Sequence, residues 1–189
     1  MLVPAFEWNS KVAYAVQLRE AMKWLGEQEG TIFLGQAVAV AGTAMFNTLA
    51  DVPLERVFEL PVAEEMQMGM TIGCALNGEV PISVFPRWNF LLLAVNQLVN
   101  HLDRMPKISN SGYHPKVIIR TSVGSQKPLH PQFQHVGNFS DAFRLLLDNI
   151  DVVVLSEPED IVPAYRHSYS RQDGRSTLLV EYGDYYHEK

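Results

Sequence analysis

The sequence predicts an α/β fold in which a mostly parallel sheet of about six strands carries helices on both faces. Short β-branched or apolar runs alternate with segments of helical periodicity along the whole chain, and this alternation is typical of βαβ units. The chain has 189 residues, of which 47% are hydrophobic and 19% charged, so it can bury a sizeable core. No repeat, low-complexity tract or linker divides the chain, and residues 1–189 are therefore predicted to form a single domain.

The first half of the chain is predicted to begin with a helix and to continue with alternating strands and helices. Ser10 can cap the first helix, and Gly26 and Gly30 bracket its end. The residues of this helix predicted to face the core are Val12, Ala15, Leu18, Met22 and Leu25. The elements that follow are a strand at 31–35, a short helix near 43–50, a strand at 56–60, a helix from about 64 to 77, a strand at 80–85 and a longer helix from about 89 to 104.

The second half combines further strands with two long irregular segments. Strands are predicted at 116–122, 151–156 and 176–182, helices near 139–148 and 159–171, and a turn at Asp173-Gly174. Segments 105–115 and 123–138 have the composition of loops, and loops of this length inside a compact domain usually carry function. Parallel sheets bind ligands beyond the carboxyl ends of their strands. Glu64, the aromatic residues of 85–90 and the 123–138 loop all follow strand ends, so we expect them to share one rim.

Glu64 is the first candidate site residue, because it opens the predicted helix EEMQMGMTIGCALNG. An acid at this position either complements the helix dipole or serves a ligand, and the residues alone favour the two interpretations equally. Gly69, Gly73 and Asn77 recur every four residues and give the helix a face of small side chains. A glycine costs roughly 1 kcal/mol inside a helix relative to alanine, so packing against a partner helix is expected to offset the loss.

Phe85, Trp88 and Phe90 form an aromatic cluster one strand later. Core packing is the favoured interpretation for any one of these rings. Pro86-Arg87 at the strand end nevertheless predicts that at least one ring stands at the rim, where its face is available to a flat heteroaromatic ligand.

His135 is the candidate for proton transfer, because it lies in the polar 123–138 loop just before a predicted helix. A loop histidine is more often a solvated side chain than a catalyst, but its proton affinity near neutral pH suits acid–base work. His130, five positions earlier, is a weaker candidate for the same role.

Several classes of function are disfavoured by composition and by missing motifs. The net charge of −6 and the absence of a basic stripe argue against nucleic acid, and the longest apolar run, FLLLAV, is too short to cross a membrane. A single cysteine, Cys74, cannot form an internal disulfide, so we expect a cytoplasmic protein. No GxxxxGK[ST], GxGxxG, GxSxG, CxxC or HExxH motif occurs. We therefore expect that the chain has no metal site and does not bind a pyrophosphate on its own.

With these positions identified, the chain resembles the pyrimidine-binding domain of the transketolase-like thiamine-diphosphate enzymes. It is most similar to the beta chain of the decarboxylating component of 2-oxoacid dehydrogenase complexes. The resemblance runs from about Ala13 to Tyr186 and is carried, in family order, by LREAM, IFLGQAV, ERVFELPVAE, GCALNGEVPI, NFLLLAVNQLVN, HPKVIIRTSVG, HVGNFSDAF and DVVVLSEPED.

The resemblance implies a role for each candidate residue. Glu64 would contact a ring nitrogen of the aminopyrimidine and so promote deprotonation of the reactive carbon of thiamine diphosphate. Phe90 would stack on the pyrimidine, with Phe85 and Trp88 lining the pocket, and His135 would handle protons or substrate. Family members hold the diphosphate and Mg²⁺ with a separate domain whose GDG motif is missing here. We therefore expect an alpha-like partner chain, an α2β2 assembly and self-association through the small-residue helix.

The expected function is that of a beta-like subunit of a split enzyme that decarboxylates a 2-oxo acid and transfers the acyl or aldehyde unit. Ketol transfer in sugar metabolism and a non-catalytic regulatory role are the alternatives. Three departures from the family pattern bear on this choice. Gln36 and Ala37 stand where acids are usual, the loop before His135 is two residues longer, so that His130 could take its role, and the C-terminal domain of relatives is expected to be absent.

Overall fold

A computed structural model describes residues 13–127 and 130–187 and contains a six-stranded, all-parallel sheet. The strand order is β2-β1-β3-β4-β6-β5. The strands are β1 (Thr31–Gly35), β2 (Val57–Glu59), β3 (Val80–Val84), β4 (Ile118–Val123), β5 (Ile150–Val154) and β6 (Ser176–Tyr182). The α-helices are α1 (Tyr14–Glu27), α2 (Ala44–Thr48), α3 (Glu64–Leu76), α4 (Trp88–Leu91), α5 (Met105–Ile108), α6 (Ser140–Leu146) and α7 (Pro158–Ser170). Among these residues, each helix is too short or too polar to span a bilayer.

The sheet separates two apolar cores, one beneath each layer of helices. Helices α1, α2 and α7 cover one face, where they pack on strand residues such as Phe33, Ile82 and Leu179. Helices α3, α4 and α6 cover the other face, over Ile119 and Leu178. Strand residues thus alternate between the two cores, as expected for a parallel sheet buried on both sides. The predicted α/β class with helices on both faces is confirmed.

Several helices differ in detail from the prediction. Helix α1 begins at Tyr14 without a side-chain cap, and Ser10 and Val12 lie outside the described residues. The single helix predicted for 89–104 is α4 followed by a 3₁₀ turn (Leu92–Ala94) and a π-helical segment (Gln97–Asp103). Part of the predicted loop 105–115 forms helix α5. Pro106 lies in its first turn, where a helix tolerates proline. The 3₁₀ turns Leu54–Arg56 and Gly183–His187 were not predicted.

The chain order creates a crevice between the carboxyl ends of β1 and β3. The chain leaves β1 for β2 on one side and then returns to β3 on the other side, and such a switch point is where open α/β sheets bind ligands. Gly35 ends β1 at this point. A Cβ atom there would overlap the carbonyl oxygen of Val84 in β3, so only glycine allows the two strand ends to approach so closely.

Arg120 in β4 and Glu181 in β6 form a fully buried ion pair within the sheet. Arg120 Nε and Nη2 donate to the two Glu181 carboxylate oxygens at 2.7 and 3.0 Å, and Nη1 donates to the Thr48 hydroxyl at 2.8 Å. The Tyr165 and Tyr186 hydroxyls also donate to Glu181, so each carboxylate oxygen accepts two hydrogen bonds. Burial acts to lower the pKa of Arg120, but attraction to Glu181 outweighs it and raises the pKa, so Arg120 stays charged.

Candidate functional site

Glu64 is a buried carboxylate at the amino end of α3. Its side chain is only 4% exposed, and Oε1 has no hydrogen-bond partner among the described residues. Glu65, the next residue of the helix, is exposed. A helix-dipole role is open to both acids, but only Glu64 is withdrawn from water. A buried polar atom without a partner requires an explanation, and a ligand that completes the hydrogen bond is one.

Gln67 fixes the first turn of α3 over the crevice between β1 and β3. Its Nε2 donates to the Val84 carbonyl oxygen at 2.9 Å and to the Ser83 hydroxyl at 3.2 Å, and both partners belong to β3. Thr71, one turn further, donates to the same Ser83 hydroxyl at 2.9 Å. Because Glu64 lies three residues before Gln67, it projects from the same side of the helix. Glu64 therefore lies at the switch point of the sheet.

The three predicted aromatic residues are not equivalent. Phe85 and Trp88 have no exposed surface and lie in the core beneath the rim, where Trp88 packs on Phe143 with ring centroids 4.7 Å apart. Neither ring has a face available to a ligand. Phe90 is only half-buried, so it is the ring that remains at the rim. The expectation of one rim aromatic among three is met by Phe90, whereas Phe85 and Trp88 belong to the core cluster and do not line the rim.

His135 lies against Phe90. Their ring centroids are 5.3 Å apart and their planes are inclined by 45°. His135 has a left-handed backbone (φ 66°), which is uncommon outside glycine, and its Nδ1 is buried without a partner among the described residues. His130 is exposed, and its Nδ1 accepts a hydrogen bond from the Gln132 amide at 2.8 Å. The structure thus brings His135, and not His130, to the aromatic side of the site.

The loop after β1 is held by Glu59, a residue that the sequence analysis treated only as part of a strand. The Glu59 carboxylate accepts hydrogen bonds from the amides of Ala37, Val38 and Ala39 at 2.7, 2.8 and 2.7 Å. An acid at the carboxyl end of a strand was the signal that could have identified it. Gln36, directly after β1, is 7% exposed, and its Nε2 has no partner among the described residues.

A cleft of about 180 Å³ opens at the carboxyl ends of β1, β3, β4 and β6, and Glu64, Phe90 and His135 are not among the residues that line it. Its walls include Thr43, Arg87, Ser122 and Tyr186. Outside the cleft lining, the same edge of the sheet carries the buried acid Glu64 and the Phe90–His135 pair, so this edge offers an acid, an aromatic face, a histidine and an arginine. Such a set can bind a flat heteroaromatic ring and exchange protons with it, which are the properties of a coenzyme-binding α/β protein.

Comparison with known proteins identifies the family. Residues 10–185 match the family described as the transketolase pyrimidine binding domain. Because the match covers nearly the whole chain, the protein belongs to this family, and the resemblance inferred from sequence motifs is confirmed.

Individual relatives agree with the assignment. The pyruvate dehydrogenase E1 component subunit beta of Gracilaria tenuistipitata var. liui is 32% identical over 117 residues, which cover 59% of this chain and 36% of the relative. The 2-oxoisovalerate dehydrogenase subunit beta of Bacillus subtilis (strain 168) is 29% identical over 120 residues, which cover 61% and 36%. The chain thus spans about a third of the length of these relatives.

A solved structure has the same fold. It is described as a split gene transketolase, inactive beta4 tetramer, and it superposes with a TM-score of 0.60 at 20% identity. The superposition covers 90% of this chain and 51% of the other.

Proposed function

We propose that the chain is the pyrimidine-binding, beta-type subunit of a split thiamine-diphosphate enzyme that decarboxylates a 2-oxo acid and transfers the acyl or aldehyde unit. Membership of the family and the names of the relatives support this function. The observation that carries it is Glu64, a buried carboxylate whose Oε1 has no partner among the described residues. A ring nitrogen of the aminopyrimidine would complete its hydrogen bonding.

The described residues fit the coenzyme. Thiamine diphosphate, when bound, supplies the electron sink that carbon–carbon cleavage beside a carbonyl requires. Glu64 Oε1 would share a proton with the ring, and burial would keep that proton away from bulk water. Phe90 would offer its half-buried face to the ring. His135 Nδ1 would take up or return a proton near the reacting carbon.

We place the diphosphate and Mg²⁺ on a partner chain, most simply in an α2β2 assembly. The sequence contains no GDG motif of the kind with which relatives hold these groups. This chain would then supply half of the site, and its rim around Glu64 would face the partner.

We further propose that α3 supports self-association through its exposed face. Met66 and Met70 are each 43% exposed, and Cβ atoms at Gly69 or Gly73 would meet nothing within 4 Å outside the helix's own backbone. Gly69→Ala should stabilise the isolated chain by roughly 1 kcal/mol, because alanine favours the helix. It should at the same time weaken association, because the added methyl group holds the second helix away. Urea denaturation of the Gly69→Ala variant measures the expected gain in stability, and sedimentation of the same sample measures the expected loss of association. Unchanged association would refute the interface.

The function is tested by Glu64→Gln, with Glu65→Gln as the matched control. Both variants lose one charge at the amino end of α3, but only Glu64 is buried. In the complex with the diphosphate-binding chain, Glu64→Gln should reduce kcat by at least about 100-fold, the usual contribution of acid–base catalysis. Glu65→Gln should stay within about twofold of the wild type. Equal turnover of Glu64→Gln and wild type would refute the proposal.

A further inference from the structure

The cleft at the carboxyl ends of β1, β3, β4 and β6 is lined by a single charged side chain, that of Arg87. The remaining described residues of its lining are neutral, and no carboxylate is among them. The acids that bind side chains of the cleft lining are already engaged. Glu181 pairs with Arg120, and Asp184 accepts hydrogen bonds from the Ser125 hydroxyl and from the amides of Gln126 and Lys127.

Arg87 is also the arginine whose side chain has no partner among the described residues. Its guanidinium forms no ion pair, hydrogen bond or aromatic contact with any described residue. Every other arginine in the described part of the chain has such a partner: Arg19, Arg56, Arg104, Arg120, Arg144, Arg166, Arg171 and Arg175.

The hydroxyl groups around the cleft have already donated their hydrogens. Ser122 donates to the Pro86 carbonyl oxygen at 2.7 Å, Thr43 donates to the Ala37 carbonyl oxygen at 3.1 Å, and Tyr186 donates to Glu181. The free side-chain donors are therefore those of Arg87. A guanidinium presents several N–H groups in a planar fork that matches a carboxylate or a phosphate.

Arg87 is adjacent to the proposed reaction site. A Cβ atom at Gly124 would lie 3.3 Å from Arg87 Cδ and would overlap the His135 carbonyl oxygen. The backbone of Gly124 therefore lies between Arg87 and His135, close to both residues. The Arg87 carbonyl oxygen accepts the Phe90 amide at 3.0 Å. An anion on Arg87 would thus lie beside the residues assigned to the coenzyme and to proton transfer.

We infer that Arg87 is the anion-recognition residue of this cleft, and that the enzyme acts on a donor or acceptor whose carboxylate or phosphate group is bound by the Arg87 guanidinium. The inference rests on the proposed function for the reaction, but the anion site itself can be tested without coenzyme. The identity of the bound anion also distinguishes the two proposed reactions. A phosphate on Arg87 favours ketol transfer between phosphorylated sugars, and a carboxylate on Arg87 favours decarboxylation of 2-oxo acids.

The test uses the full chain in low-salt buffer, titrated with inorganic phosphate or with succinate. The Nε–H resonance of Arg87 is followed by ¹⁵N nuclear magnetic resonance and assigned by its loss in Arg87→Gln. Arg144 is the matched control, since it is an arginine that pairs with exposed Asp141 on the surface. A saturable shift of Arg87 alone supports the site. Isothermal titration calorimetry of the wild type and of Arg87→Gln should then show an affinity for the anion weakened about tenfold or more in the variant, since hydrogen bonds to charged groups have this strength.

Saturation by phosphate but not succinate assigns a phosphorylated substrate, and saturation by succinate but not phosphate assigns a carboxylate. Shifts that are absent, or equal at Arg87 and Arg144, would overturn the inference. It would also be overturned if the small anions have no effect and Arg87→Gln instead weakens binding of the partner chain, because Arg87 would then pair with a carboxylate of that chain. None of these outcomes bears on Glu64, whose role is decided by turnover.

Discussion

Replacement of Glu181 by glutamine is predicted to destabilise the fold by several kilocalories per mole. The substitution retains size and shape but removes the charge that faces Arg120, and both side chains are 0% exposed. The guanidinium would remain buried without a counter-charge, and the new amide N–H₂ would point at a donor among Arg120, Tyr165 and Tyr186. Removal of one partner from a buried ion pair costs about 3–5 kcal/mol. We expect a loss of that size in the free energy of unfolding.

Urea denaturation monitored by far-ultraviolet circular dichroism measures this loss. Asp141→Asn is the control, because it breaks an exposed pair with Arg144 and should cost less than about 1 kcal/mol. The double variant Arg120→Met/Glu181→Leu should recover only part of the loss, because apolar side chains can replace the buried pair but leave the Tyr165 and Tyr186 hydroxyls without their acceptor. A loss below about 1 kcal/mol for Glu181→Gln would refute the reasoning, because such a value belongs to a solvated pair.

Three further predictions concern pH and the loop. Burial, followed by repulsion from Glu181, raises the pKa of Tyr165 and Tyr186 well above 10.0, so their protonated forms stabilise the fold below pH 10 and this contribution is lost as the pH rises. The phenolate absorbance of Tyr165, which is fully buried, should appear only together with loss of circular dichroism, and earlier titration would contradict its burial. The Arg171 guanidinium lowers the pKa of Asp173 to about 2, so this residue stabilises the fold above about pH 4 and loses its effect as the pH falls toward 2. Because Asp173 is half exposed, Asp173→Asn should remove less than about 1 kcal/mol of acid-sensitive stability in urea titrations, and a larger loss would contradict its exposure. Gly124→Ala should displace the loop that carries His135 and reduce kcat of the complex without unfolding the chain, and unchanged kcat with unchanged circular dichroism would show that the loop is not fixed there.

The strands were predictable because each is a short apolar run between polar segments. The sheet confirms β1 at 31–35 and β6 at 176–182 to the residue. The helical stretch after β3 was less predictable, because its 3₁₀ and π-helical turns depend on tertiary contacts. One example is buried Asp103, which accepts the amides of Asp148 and Asn149 at 3.0 and 2.7 Å.

The site shows the same division between local and long-range information. Glu64 was identified from its position after a strand and at the start of a helix, and this position follows from sequence. The burial of Phe85 and Trp88 and the exposure of Phe90 could not be derived, because all three rings are equally apolar and only packing distinguishes them. The Arg120–Glu181 pair had a readable signal that was missed. Strands β4 and β6 each carry one charge in an otherwise uncharged run, and a fully buried parallel sheet requires such charges to be paired.

Proton exchange at the reactive carbon of thiamine diphosphate tests the central claim most directly. The rate of hydrogen–deuterium exchange at that carbon is measured by nuclear magnetic resonance in the complex with the diphosphate-binding chain. The account predicts fast exchange in the wild type and in Glu65→Gln, and exchange slower by at least about 100-fold in Glu64→Gln. Equal exchange rates for Glu64→Gln and the wild type would contradict it.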